Sequence, residues 1–124
     1  MSAPVLTASQ TLRLTQANII WLATVRPDNS PHLVPIWFVV EKGNVYICTS
    51  AGSVKAKNIT ANPRVTIALE DGVTPLVIQA TSSLVGEFPQ AVVEAFRSKY
   101  DWDITGDETY TVLVEILPEK ILMG

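Results

Sequence analysis

Runs of apolar residues separated by turn residues dominate the chain and predict a protein built mainly from β-strands. The runs cover residues 19–25, 32–40, 45–49, 64–70, 75–87 and 110–116, and residues 121–123 extend the last run past Pro118. Residues 35–40 are almost all apolar, which favours a strand that is buried on both faces or lines a ligand wall. Six mostly consecutive strands with short turns predict an antiparallel barrel of the mainly β (α+β) class.

Three short helices are predicted at the edges of this barrel, over residues 7–17, 54–61 and 89–100. Ser53 is a suitable N-cap for the second helix, and Pro63 prevents that helix from continuing because proline lacks an N–H group. Residues 41–44 read as a tight turn in which Gly43 can take a positive φ. A turn over residues 27–30 predicts that the first two strands form a hairpin. The first six residues, broken by Pro4, are expected to be irregular.

Composition narrows the possible functions. The 124 residues suit one domain spanning residues 1–124, and 48% hydrophobic residues permit a well-filled core. A net charge of −3 argues against bulk binding to nucleic acid, which requires a basic face. No apolar run approaches the length of a membrane span, and no signal-peptide pattern is visible at the N-terminus. We therefore expect a cytoplasmic protein that binds neither nucleic acid nor membrane.

The single cysteine excludes an internal disulfide and fits a reducing compartment. Cys48 lies in a strand pattern, which predicts a buried thiol that acts as a small hydrophobic side chain. With one cysteine and one histidine in the chain, no zinc site of the usual ligand types is expected.

Candidate binding chemistry begins at the small residues that precede the second predicted helix. Thr49, Ser50 and Ser53 supply hydroxyls there, and the free N–H groups of a helix start attract anions. Lys55 and Lys57 bring positive charge to the same turn, so the segment can form a phosphate cradle. The alternative is that both lysines belong to a solvated helix face, and the motif is too short to decide between the two interpretations.

The order of these motifs resembles the pyridoxamine 5′-phosphate oxidase-related family, the FMN-binding split β-barrel proteins. The resemblance rests on the strand HLVPIWF, the hairpin EKGNVYICTS, the helix SVKAKNI and the strand entry NPRV. It implies a six-stranded split barrel that forms a homodimer with two equivalent flavin sites across the interface. It also implies that a flavin ring lies along the strand made by Pro35, Ile36, Trp37 and Phe38.

The same resemblance assigns the FMN phosphate to Thr49, Ser50 and Lys55, with Ser53 and Lys57 assisting. Trp102 is the candidate for the aromatic group that the second protomer places near the ring. Val54 stands where the true oxidases carry an arginine, so formation of pyridoxal phosphate is not expected.

The function that the resemblance implies is an FMN-dependent oxidoreductase that uses a nicotinamide donor and acts on a small substrate. A flavin-binding module without turnover and a reductase that uses the deazaflavin coenzyme are the alternatives, and some relatives are linked to haem. A few further residues have open roles. His32 is a possible proton donor or a partly exposed strand residue, Trp37 flanks the ring or fills the core, and Trp21 is predicted in the core. Asp101 and Asp103 are predicted in a solvated loop, with contact to a substrate as the alternative.

Overall fold

The computed structural model describes residues 5–124, so most of the irregular N-terminal stretch expected for residues 1–6 lies outside the described residues. In chain order the elements are α1 Ala8–Gln16, β1 Ile20–Val25, β2 Pro31–Ile36, β3 Val39–Glu41, β4 Asn44–Thr49, α2 Val54–Ala61, β5 Arg64–Leu69, β6 Val77–Val85, α3 Gln90–Tyr100, a 3-10 helix Ile104–Gly106 and β7 Val112–Met123. None of the helices in this part of the chain has the length and apolar character that crossing a bilayer requires.

All the strands belong to one antiparallel sheet in the order β2-β1-β5-β6-β7-β4-β3. The predicted class, mainly antiparallel β-structure with three α-helices, is confirmed. The predicted number of six strands is wrong, because the sheet has seven strands within residues 5–124. The apolar run over residues 32–40 forms two strands rather than one, since β2 pairs with β1 while β3 pairs with β4. The strand is interrupted at Trp37 and Phe38.

This interruption explains how the sheet closes. The strands β2 and β3 form the two edges of the sheet, yet only Trp37 and Phe38 separate them along the chain. Such a short link spans at most about 11 Å between the Cα atoms of Ile36 and Val39. The sheet must therefore curl until its edges nearly meet, which gives a barrel with a split between β2 and β3.

The interior of the barrel is one apolar core. Phe38 is fully buried there, and Leu14 of α1 packs into the same core. The strands contribute alternate residues, among them Ile20, Leu22, Ile47, Ile67, Ile78, Val114 and Ile116. Trp21 was predicted in the core, but it is only half-buried, because the neighbouring residues Ile20 and Leu22 occupy the inner face of β1.

A second apolar cluster forms on the outer side of the barrel, where α3 packs against it. Val92, Val93 and Phe96 of α3 contact a surface that includes Val39, Tyr46, Cys48 and Leu113. The prediction of a buried Cys48 is confirmed, since its side chain is almost inaccessible. The pKa of this thiol is raised to about 12. Burial is the main cause, and the nearby negative charge of Asp107 adds to it. The packing of α3 fixes the position of the residues that follow it.

Local signals set the ends of several elements as expected. The Ser53 hydroxyl accepts a hydrogen bond from the backbone N–H of Ala56 at 3.1 Å, which starts α2 at the predicted residue. Lys42 and Gly43 take φ values of 52° and 80°, as a two-residue hairpin turn requires. The last strand runs past Pro118 to Met123, which confirms the predicted extension.

Candidate functional site

A cleft of about 720 Å³ opens beside the link between β2 and β3. This volume lies within the usual range for small-molecule sites. The walls are Ile19, Pro35, Ile36, Trp37, Cys48, Lys55, Tyr100, Asp101, Trp102, Asp107 and Tyr110. A groove of similar size, about 740 Å³, runs between α1 and the β3–β4 turn, but none of the predicted site residues lines it. We therefore take the first cleft as the candidate site.

The link residues are held in place by Tyr100 at the end of α3. The Tyr100 hydroxyl accepts a hydrogen bond from the backbone N–H of Phe38 at 3.0 Å. It also lies 2.9 Å from the carbonyl oxygens of Phe38 and Asn18, and its single proton is donated to one of them. The ring of Tyr100 stacks on Trp37, with centroids 4.5 Å apart and planes 7° from parallel. Burial raises the pKa of this phenol, so it stays protonated and keeps its donor.

The opposite wall is aromatic and is anchored by one carboxylate. Trp102 meets Trp37 at an interplanar angle of 72° and Tyr110 at 85°, with centroids 6.0 and 5.9 Å away. The indole N–H of Trp102 donates to Asp107 Oδ2 at 3.1 Å. Asp107 Oδ1 accepts from the backbone N–H groups of Tyr110 at 2.7 Å and Thr109 at 2.8 Å. These hydrogen bonds lower the pKa of Asp107, and the two from backbone N–H groups have the largest effect.

Lys55 supplies the positive charge of the cleft. It lies in the first turn of α2, where burial lowers the pKa of its ammonium group. Among residues 5–124, no carboxylate lies within 4.0 Å of this ammonium group. A partly desolvated cation without a counter-charge favours the binding of an anion, which would restore its charged form.

A second polar feature attaches α2 to the barrel. The side-chain N–H of Asn58 donates to the Thr24 hydroxyl at 3.0 Å, and both side chains are buried. Because Asn58 lies one turn after Lys55, this hydrogen bond also helps to fix the helix that carries the cation.

The comparisons with known proteins identify the family. The profile described as pyridoxamine 5′-phosphate oxidase matches residues 6–122. The chain belongs to the pyridoxamine 5′-phosphate oxidase family. The comparison with curated proteins gives no significant match.

Solved structures from this family's fold resemble the chain over nearly its whole length. A conserved hypothetical protein from Mycobacterium tuberculosis is 28% identical, with a TM-score of 0.74 over 98% of this chain and 86% of the other. A protein named F420 reductase is 23% identical, with a TM-score of 0.70 over 88% of this chain and 93% of the other. HutZ, the haem-storage protein from Vibrio cholerae, is 20% identical, with a TM-score of 0.75 over 94% of this chain and 96% of the other.

Half of the residues that the resemblance to the pyridoxamine 5′-phosphate oxidase family assigned to the cofactor meet in the cleft. They are Pro35, Ile36, Trp37, Lys55 and Trp102. Trp102 lines the cleft of its own chain, and its contribution to a second protomer's site stays a prediction of the resemblance. The roles of these residues in cofactor binding remain predictions.

The other assigned residues do not line the cleft. The Phe38 side chain is fully buried in the core. The backbone N–H and carbonyl groups of Phe38 both lie within hydrogen-bond distance of the Tyr100 hydroxyl. Thr49 is also fully buried, with its hydroxyl 2.9 Å from that of Ser53, which caps α2. Ser50 is half-buried beside them, and Lys57 is exposed on α2. The hydroxyls of Thr49 and Ser53 therefore support the helix that carries Lys55. Lys57 lies on a solvent-exposed face of α2, as the alternative interpretation predicted.

Sequence reasoning did not assign Tyr100, Asp107 or Tyr110 to the site, although all three line the cleft. No local signal marked these residues, since they reach the cleft through the packing of α3 and the loop after it. Asp101 lines the cleft, whereas Asp103 lies outside it, 3.6 Å from Arg97. His32 is half-buried outside the cleft, and its Nδ1 atom has no hydrogen-bond partner among residues 5–124.

Proposed function

We propose that the protein is an FMN-binding oxidoreductase of the pyridoxamine 5′-phosphate oxidase-related class, acting on a small substrate. One observation carries the proposal: a single cleft holds a partly desolvated Lys55 and the aromatic walls of Trp37 and Trp102. FMN combines the two features that such a cleft suits, a flat ring and a phosphate.

The residues present fit this cofactor. Lys55 would hold the phosphate, with the Ser50 hydroxyl and the start of α2 close by in the chain. Pro35, Ile36 and Trp37 would lie along the ring. Bound FMN supplies the redox chemistry, and the protein supplies binding and orientation. Tyr100 keeps Trp37 in position, and Asp107 does the same for Trp102, so the walls of the cleft are fixed before any ligand arrives.

Oxidation of a phosphorylated vitamin is not part of the proposal. Within residues 5–124, Lys55 is the cationic side chain that lines the cleft, and Asp101 and Asp107 line it as well. A second phosphate beside that of FMN would need a second cationic group and would meet these carboxylates instead. This charge pattern favours a substrate without a phosphate.

A homodimer and a cytoplasmic location belong to the same proposal. The outer face of β1 and β2 carries apolar side chains, including Leu33, which is 60% exposed, and Trp21, which is paired with Pro35 in the sheet. An apolar sheet face of this kind suits a second copy of the chain. Light scattering on the purified protein and on Leu33→Glu tests it: the proposal predicts a dimer that the charged variant weakens. The cytoplasmic location rests on the single cysteine, which is free and buried.

The likeness to an F420 reductase favours a second candidate, a reductase that uses the deazaflavin coenzyme. Extraction of the chromophore from the purified protein, followed by absorption and mass measurements, distinguishes it from FMN. Recovery of FMN supports the proposal, and recovery of the deazaflavin coenzyme or of haem contradicts it.

Turnover needs its own measurement, because a flavin store would contain the same cleft. Steady-state oxidation of NADPH by the FMN-loaded protein is expected with an added acceptor. FMN binding without turnover on any acceptor would identify a binding module instead.

A further inference from the structure

The groove between α1 and the β3–β4 turn shares no lining residue with the cleft. Its lining is mostly apolar and includes Leu6, Leu12 and Pro118. Leu6 is buried in the core of the barrel, whereas the Leu12 side chain is 56% exposed. A large apolar side chain that is exposed inside a concave surface gives a ligand apolar area to bury.

The pattern of α1 explains why Leu12 is left outside the core. Leu14 is the buried residue of this helix, and it packs into the barrel. Leu12 and Leu14 point about 200° apart around the helix, since each residue turns the chain by about 100°. Ala8 and Thr15 lie four residues before and three residues after Leu12, so they share its side of the helix and line the groove with it. Within residues 5–124, this second face of α1 is exposed.

Lys42 is the charged side chain among the lining residues that the structure describes. Among residues 5–124, no carboxylate lies within 4.0 Å of its ammonium group. Its φ of 52° is the left-handed conformation that asparagine, aspartate and glycine adopt most readily. The turn itself therefore does not favour a lysine. The side chain nevertheless brings one unpaired positive charge to an apolar groove.

The size and charge of the groove suit one class of ligand. Its volume is about 740 Å³, which is in the range of small-molecule sites. The nine-residue helix α1 is about 13 Å long, similar to an extended hydrocarbon chain of about ten carbons. One lysine balances the single charge of a carboxylate, whereas a phosphate head would bring nearly two negative charges.

We propose that this groove binds a straight-chain fatty carboxylate of about ten carbons. The hydrocarbon chain lies against Leu6, Leu12 and Pro118, and the carboxylate pairs with Lys42. Burial of methylene groups supplies the affinity, and the exposed ion pair supplies a modest preference for an anionic head. The site is separate from the cleft and goes beyond the proposed FMN function.

Amphiphiles with the same chain and different heads test the charge selection. Decanoate, 1-decanol and decyltrimethylammonium are anionic, neutral and cationic. Each is titrated into the isotope-labelled full chain below its micelle-forming concentration, and NMR follows the backbone amide signals. We expect decanoate to bind about two- to fivefold more tightly than decanol, and the cation to bind most weakly. The signals of Leu12 and Gly43 should shift. Equal affinities for the three heads, or shifts confined to the indole signals of Trp37 and Trp102 in the cleft, would overturn the proposal.

A series of fatty carboxylates from octanoate to myristate tests the length of the groove. Affinity should rise about three- to tenfold for every two added methylenes until the chain has about twelve carbons, because each methylene is partly buried. It should then level off, since a longer chain extends into water. A rise that continues to myristate would indicate non-specific binding to apolar surface and would overturn the groove as the site.

Substitutions with matched controls locate the ligand. Leu12→Gln should weaken decanoate binding at least about fivefold, and glutamine is a good helix former, so the variant should fold. Leu84→Gln is its control, because Leu84 is 51% exposed but does not line the groove.

Lys42→Asn should abolish the preference for decanoate over decanol without loss of stability, since asparagine suits the left-handed turn. Its control is Lys120→Asn, at an exposed position outside the groove. An equal effect of either variant and its control would overturn the proposal.

A second copy of the chain is the alternative occupant of the groove. Light scattering on the wild type and on Leu12→Gln distinguishes the two. An unchanged oligomeric state together with weakened decanoate binding supports the fatty carboxylate. A dimer that Leu12→Gln dissociates, with no binding of decanoate to the wild type, would show that the groove is an interface between copies and overturn the proposal.

Discussion

The indole of Trp37 lies flat on the phenol ring of Tyr100, with ring centroids 4.5 Å apart and planes 7° from parallel. The two residues are far apart in the sequence. The Tyr100 hydroxyl also accepts a hydrogen bond from the backbone N–H of Phe38, the residue after Trp37. One tyrosine therefore fixes both the side chain and the main chain of the link that closes the barrel.

Tyr100→Phe should destabilise the protein and leave the ring stack in place. The substitution removes the hydroxyl that accepts the Phe38 N–H, in a partly buried position. Loss of a hydrogen-bond partner at such a site costs about 1–3 kcal/mol. Urea denaturation measures the change in the free energy of unfolding. Tyr110→Phe is the control and should change it by less than about 0.5 kcal/mol, because that side chain is 45% exposed and its hydroxyl makes no hydrogen bond among residues 5–124. Equal stabilities of the two variants would show that the Tyr100 hydroxyl has no structural role.

If FMN binds as proposed, Lys55→Ala should weaken its binding by about 1.5–3 kcal/mol, because the proposed charge-assisted bond to the phosphate would be lost. Quenching of flavin fluorescence gives the dissociation constants. Lys57→Ala serves as the control. Lys57 lies on the same helix but is exposed away from the cleft, so its loss should have only a small effect through screened charge. If both variants bind FMN as the wild type does, Lys55 does not hold the phosphate.

Lys99→Met should raise the free energy of unfolding at pH 7. The Lys99 ammonium is enclosed without a hydrogen-bond partner among residues 5–124, and it lies 3.9 Å from the centre of the Phe38 ring. Burial lowers its pKa to about 8, so the cost of desolvation exceeds the attraction of the ring. Methionine keeps a similar length and removes the charge. Lys57→Met, at an exposed position, is the control. A Lys99→Met protein that is less stable than the wild type would contradict the interpretation.

The same lysine predicts a specific dependence on pH. Between about pH 8 and the ordinary lysine pKa of 10.5, the unfolded chain holds a proton that the folded protein has lost. Stability therefore gains from Lys99 as the pH rises through this window. Cys48 and Tyr46, whose pKa values burial raises, act in the opposite direction in both proteins. The stability difference between Lys99→Met and the wild type should accordingly be largest below pH 8 and shrink above it. Denaturation at several pH values checks this trend.

Cys48 should react slowly with thiol reagents in the native protein. Its side chain is buried, and its pKa of about 12 leaves almost no thiolate at pH 8. An aromatic disulfide reagent should therefore label it rapidly only after unfolding. Since Cys48 is the only cysteine of the chain, the absorbance of the released thiol gives the rate without further assignment. Fast labelling of the native protein would show that this wall of the cleft opens readily.

The sequence predicted best what depends on neighbouring residues. Ser53 and Pro63 set the limits of α2, and Gly43 set the turn between β3 and β4, because caps and turns act over a few residues. The placement of Lys55 beside Trp37 followed from the family resemblance, and the structure brings both residues to one cleft.

What the sequence did not predict depends on distant contacts. Nothing in an apolar run marks the break at Trp37 and Phe38, because the break exists only when the run must reach two edges of one curled sheet. The bond between Trp102 and Asp107 was missed for a related reason. The bond forms in the irregular segment that follows Asp101, the C-cap of α3. The packing of α3 sets the path of this segment.

The order of the strands has a consequence for how the protein is made. The strand β7 follows all the others along the chain, yet it lies in the interior of the sheet, between β6 and β4. Until β7 is added, the hairpin of β3 and β4 pairs with no other strand, and the link at Trp37 and Phe38 cannot close the barrel. A ribosome must therefore release the residues through β7 before the barrel can close and the cleft can form. Newly made protein should gain its ligand-binding capacity in one late step.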